Sequence, residues 1–209
     1  MSLICNQPRQ PGNGTNSVRD MYERVDAPIA TGSAHLMRAG AELHLILADL
    51  EMNDPAQAAM RVTSVSAAVH AALAEYEESH RVAGELGFYS VHDTLLKTAG
   101  GGSFQVRAIL DEAHEKGLVD LDEASVAALG ERYVTGGDEK VFTEFIAELR
   151  VFSTEIDNFA RATTTVDDST WREFPWKAIT HFDRIRVQGQ AIAIVNILGT
   201  AHVTVAVQA

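Results

Sequence analysis

Phe142, Phe145, Leu149, Phe152, Ile156 and Phe159 alternate at intervals of three and four residues, and no other feature of the chain constrains its fold as strongly. An α-helix makes one turn in 3.6 residues, so this spacing puts all six side chains on one stripe; on a strand they would scatter over both faces. A helix over about residues 137–162 with so aromatic a stripe must be covered by other helices. The expectation is an all-α fold with this helix at the centre of the core.

The covering helices are legible upstream. Ile29, Leu36, Leu43 and Leu50 recur every seven residues, with Gly32, Ala39 and Ile46 at the intermediate positions. That is an a/d seam whose small residues admit a close neighbour, while Glu42, Asp49 and Glu51 lie beside or opposite it. Asp54-Pro55-Ala56-Gln57 reads as a capping box with proline in the first turn. One helix therefore stops near Asn53 and a second begins, forming an antiparallel hairpin. Val62, Val65, Val69, Ala72, Tyr76 and Ala83 form the stripe of the second helix, which ends at Gly84 to Gly87.

Shorter helices follow, one from Ser90–Asp93 to the Gly100-Gly101-Gly102 break and one from Ser103 to Gly117 carrying Val106, Ile109, Leu110 and Ala113. A third is capped by Asp120-Leu121-Asp122-Glu123, carries Val126, Leu129 and Tyr133, and breaks at Gly136-Gly137. Together these predict an antiparallel up-and-down bundle of four or more helices over 18–163. A flexible arm, 1–17, precedes it, and an aromatic-rich linker with an uncharged packing segment, 164–209, follows.

Charge narrows the partners. Twenty-nine acidic against seventeen basic residues give a formal charge of −12, which opposes nucleic acid and anionic lipid because both are held largely by Lys and Arg. The single cysteine, Cys5, excludes an internal disulfide, and no basic and apolar leader opens the chain, so a reducing, cytoplasmic setting is expected.

The charge is also segregated, since residues 187–209 are 23 uncharged positions of which fourteen are Ala, Val, Ile or Leu. The run is long enough to span a bilayer. Gln188, Gln190, Asn196, Thr200, His202, Thr204 and Gln208 interrupt it and no basic cluster follows, so a membrane span is not expected. A buried helix fits, as does a β-hairpin turning at Leu198-Gly199-Thr200 in which Val203, Val205 and Val207 alternate. Trp171, Phe174, Trp176 and Phe182 around Pro175, with Ile192, Ile194, Val203 and Val205 of the tail, form the candidate interface of a homo-oligomer.

One catalytic constellation has its ingredients. Di-metal bundle proteins carry Glu-x-x-His on two helices and single carboxylates on two others. Here Glu77 and His80, Asp111 and His114, with Glu42 and Glu148 as the single carboxylates, form a candidate iron or manganese site resembling those of ferritin-like proteins. Direction opposes it. With Val62, Val69, Tyr76 and Ala83 at position a, Glu77 falls at b and His80 at e, and Asp111 and His114 face away from Val106, Ile109 and Ala113.

The eight histidines contain no His-Glu-x-x-His. His35 and His44 flank the first stripe, His70 lies at a b position, and His202 stands alone in the apolar tail. Gly100-Gly101-Gly102-Ser103 lacks the lysine of a phosphate loop, no Gly-x-Ser-x-Gly occurs, and no catalytic residue is nominated.

The run from Ala128 through Tyr133, Thr135, Gly136, Gly137 and Asp138 to Lys140, followed by Phe142, Phe145 and a long acidic helix, resembles the helical-bundle sensory domains of bacterial chemoreceptors and histidine kinases. The likeness covers about residues 128–162. It implies a sensory bundle that takes a small-molecule ligand, without nominating ligand-binding residues, and the chain lacks that family's first membrane helix. The functional expectation is a non-enzymatic interaction or small-molecule-sensing module that self-associates through its heptad stripes and apolar C-terminal segment.

Overall fold

The boundaries around the first helical hairpin have local causes. In the computed structural model, which describes residues 13–98, 103–117, 123–165 and 167–208, α1 (Asn13–Glu51) ends where Asn53 takes φ 59°. Asparagine tolerates that left-handed conformation better than most residues. Asp54 then accepts the Gln57 N–H at 3.0 Å and Pro55 opens α2 (Pro55–Leu86), as the capping pattern predicts. Gly87, at φ 65°, closes α2 by donating its N–H to the Ala83 and Gly84 carbonyls.

The remaining helices are α3 (Phe88–Thr98), α4 (Ser103–Glu115), α5 (Glu123–Ala162) and α6 (Asp168–Gln208). Helix α5 is two segments meeting at Gly137, whose φ 73° and ψ 171° lie in a region open essentially to glycine alone. Among the described residues every regular element is helical, and no helix is long and apolar enough to cross a membrane.

The four long helices pack through pairings that run in opposite sequence directions. Between α1 and α2, the Ser33 hydroxyl lies 2.9 Å from the Tyr76 hydroxyl and Ser79 donates to the Val25 carbonyl at 2.8 Å, while Arg61 bridges Glu42 and Asp49. Between α2 and α5, Ser66 donates to Asp157 at 2.6 Å and Arg150 to Glu77 at 2.7 Å. Between α5 and α6, Phe159 meets Trp171 with ring centroids 5.0 Å apart and Gln188 donates to Glu148 at 2.7 Å.

Helix α6 returns to α1, where Gly40 is bare because a Cβ there would lie 2.6 Å from the Phe182 ring. All six residues of the aromatic stripe are buried, each such burial being worth about 1.5–3 kcal/mol. Tyr76 is fully buried at the crossing point, edge-on to Phe145 with centroids 4.6 Å apart.

Three expectations change. Helix α1 begins at Asn13, inside the segment read as an arm; residues 1–12, with Cys5, lie outside the described residues. The stretch read as a linker and packing segment is, from Asp168 on, one helix running through Pro175. Its C-terminal part is helix, so the β-hairpin alternative is excluded. The alternating valines that suggested a strand lie on that helix, with side chains outside the described residues, as are those of Ile197 to Ala209, His202 included. The Gly100–Gly102 break and the Asp120-Leu121-Asp122 cap also lie outside them.

Candidate functional site

An open groove of about 580 Å³ lies between the C-terminal half of α5 and the start of α6. Its apolar lining comes from Phe152, Ile156, Phe159 and Ala162 of α5 and from Phe174 and Ala178 of α6. Phe159 and Phe174 stack face to face with centroids 3.5 Å apart, and Phe152 lies edge-on to His181 at 5.2 Å.

The groove's polar groups are Glu155, Asn158, Lys177 and His181. The Glu155 carboxylate lies 2.8 Å from His181 Nδ1, and exposed Lys177 donates to Glu173, outside the groove, at 2.7 Å. The geometry suits a flat apolar body against aromatic rings, with a polar head between an acidic and a basic group.

A second cluster is closed to solvent. Tyr22 of α1, His92 of α3 and Asp138, just beyond the α5 kink, converge where Phe88 stacks on the His92 ring with centroids 5.2 Å apart. The Tyr22 hydroxyl is 2.8 Å from His92 Nδ1, and Asp138 Oδ2 is 3.0 Å from His92 Nε2; neither of the last two atoms makes a hydrogen bond of good geometry. Burial pushes the His92 imidazole down to about 4, with the Asp93 charge opposing. Burial, helped by Asp93, pushes the Asp138 carboxyl up to about 7. Burial, aided by Asp138 and Asp26, holds the Tyr22 phenol well above its ordinary range. Sequence reading missed this cluster because its members lie 46 to 116 residues apart, each unremarkable on its own helix.

The candidate metal residues are dispersed. Glu42 pairs with Arg61 and Glu77 with Arg150. Glu148 accepts from Gln188, and Asp111 and His114 lie on the shorter α4. Among the described residues no group of three or more His, Cys, Asp or Glu side chains is placed to share an ion.

His80, placed by its heptad position away from the core, is instead half-buried. Its Nδ1 lies 2.6 Å from the Tyr89 hydroxyl and its ring meets Phe142 at 5.5 Å, because α5 packs on that flank of α2. Burial lowers its pKa. His70 lies 2.8 Å from Asp157, and Ser153 Oγ is 3.4 and 3.5 Å from the two His70 nitrogens. The trio ties α2 to α5 through polar contacts.

The candidate interface residues divide. Trp171, Phe182 and Ile192 are buried within the single chain, Phe174 and Ile194 are partly buried, and Trp176 is 64% exposed. The side chains of Val203 and Val205 lie outside the described residues. No family model, curated protein or solved structure matches the chain.

Proposed function

We propose that this chain is a non-enzymatic helical-bundle module in a cytoplasmic setting that senses a small amphipathic organic molecule and self-associates. The groove between α5 and α6 carries the ligand part. At about 580 Å³ it falls in the range of about 300–1,000 Å³ typical of small-molecule sites, which are mostly apolar with a few convergent polar groups and occur between bundle helices. The likeness of residues 128–162 to sensory bundles supports the same reading, because the α5 wall of the groove lies largely in that segment. The Glu155–His181 pair, 2.8 Å apart, offers a polar head an anchor beside the apolar lining, so the groove is read as a binding site.

A thermal-shift screen of aromatic acids and amines tests it. A ligand at a hundred times its Kd stabilises by about 2.7 kcal/mol, a rise of about 5–10 °C for a chain of this size. The shift should disappear in Ala162→Trp, which fills the groove, and weaken in Lys177→Ala. A screen without any shift, or a shift unchanged in Ala162→Trp, overturns the assignment.

A further inference from the structure

Helix α1 has two apolar stripes, of which the bundle uses one. Ile29, Leu36, Ala39, Leu43 and Ile46 are buried. On the opposite face, Ala30, Ala34, Met37, Ala41 and Leu45 are exposed and Ala48 is half-buried, and exposed Met52 extends the stripe one residue past the helix end, its N–H still bonded to the Ala48 carbonyl at 3.0 Å. Met37 and Met52 are each 72% exposed and Leu45 43%, making three of the six exposed large hydrophobic residues among those described. In a chain of charge −12 this stripe carries no acidic residue, so two copies can approach along it without carboxylate repulsion.

The spacing specifies the occupant. From Ala30 to Met52 the steps are four, three, four, four, three, four, and the series reads the same in either direction. A two-fold interface needs residue i to meet j while j meets i. About Ala41, an antiparallel pair sets Ala30 against Met52, Ala34 against Ala48 and Met37 against Leu45, with small residues opposite the methionine at each end.

The mean step is close to the 3.67 residues of an eleven-residue repeat, so the stripe runs nearly straight along about 33 Å of helix. Parallel pairing would set Arg38 beside Arg38 and Glu51 beside Glu51. Antiparallel pairing sets Arg38 near His44 and Glu51 near Thr31 instead. We infer that the outer face of α1 pairs antiparallel with α1 of a second copy about a two-fold axis at Ala41. The inference rests on the self-association part of the proposed function and names its surface.

Sedimentation of the full chain should give twice the monomer mass, and Ala41→Arg should give the monomer with unchanged helical circular dichroism. In a Cys5→Ser background, Ala41→Cys should oxidise to a covalent dimer, and Met37→Cys mixed with Leu45→Cys should cross-link. Met37→Cys alone should not, because its two copies lie about 12 Å apart along the axis. If Ala41→Arg does not fold, the cysteine variants decide. A monomeric parent chain overturns the inference together with self-association. A dimer that survives Ala41→Arg and gives no Ala41→Cys cross-link overturns the surface alone, and efficient cross-linking through Met37→Cys overturns the antiparallel direction.

Discussion

His92 and Asp138 depart from ordinary protonation in opposite senses, and together they nearly cancel. The folded pair loses its protons at about 4 and about 7, whereas His and Asp lose theirs at 6.5 and 3.8 when unperturbed. Between about pH 4 and 6.5 both states of the pair hold one proton, so its own contribution to folding stability is nearly flat there. Removing one partner uncovers the slope of the other. In Asp138→Asn the depressed histidine remains; the unfolded state binds more protons between 6.5 and about 4, and stability present above pH 6.5 is lost as pH falls. At 1.36 kcal/mol per pH unit the loss by pH 4 is about 3 kcal/mol. In His92→Gln the raised carboxyl remains, so stability present below pH 4 is lost as pH rises through about 7. Relative to the parent chain, urea midpoints from pH 4 to 8 should therefore slope in opposite directions for the two variants, and differences of the same sign would refute the assignment.

At the scale of elements, glycines show where helices depend on close approach. A Cβ on Gly40 would meet Phe182 at 2.6 and 2.9 Å, and that buried ring has nowhere to go. Overpacking costs about 1–3 kcal/mol, more than the roughly 1 kcal/mol of helix propensity gained from alanine, so Gly40→Ala should destabilise. A methyl group on Gly84 would meet nothing within 4 Å, so Gly84→Ala should stabilise by about 0.5–1 kcal/mol. Gly137→Ala should cost about 1–3 kcal/mol at its φ of 73°. Denaturant midpoints check all three, and a gain at Gly40 or a loss at Gly84 would contradict the packing. The hairpin between α1 and α2 was legible because its signals are local, with Asp54, Pro55 and Gln57 within four residues and stripes at helical spacing. The groove was not. Phe152 and Phe159 announce a core stripe, and only their meeting with Phe174 and His181 on the next helix leaves an open concavity. The outer stripe of α1 was hidden for a related reason, since alanines and methionines are distinguished from core residues only once the neighbours of α1 are known.

For the whole molecule, the absence of charge over residues 187–196 matches their enclosure. None of residues 187–196 is exposed, so an ionised side chain there would lose much of its hydration. Sequence reading saw the uncharged run and set it apart from the bundle; Ala191, Ile192 and Val195 are in fact buried in the same core as the aromatic stripe. Gly189 lies against the Tyr76 hydroxyl and the Phe145 ring, where a Cβ would come within 3.2 and 3.4 Å. A chain ending at Arg186 loses these side chains and uncovers Tyr76 and Phe145. At about 1.5–3 kcal/mol for each large apolar group, the loss is comparable with the roughly 5–15 kcal/mol that holds a domain folded. Such a chain should lose its cooperative thermal transition, measured by circular dichroism at 222 nm, and expose apolar surface to a hydrophobic dye. Cooperative melting within a few degrees of the full chain would mean instead that α6 past Arg186 is an appendage, and that the bundle closes without it.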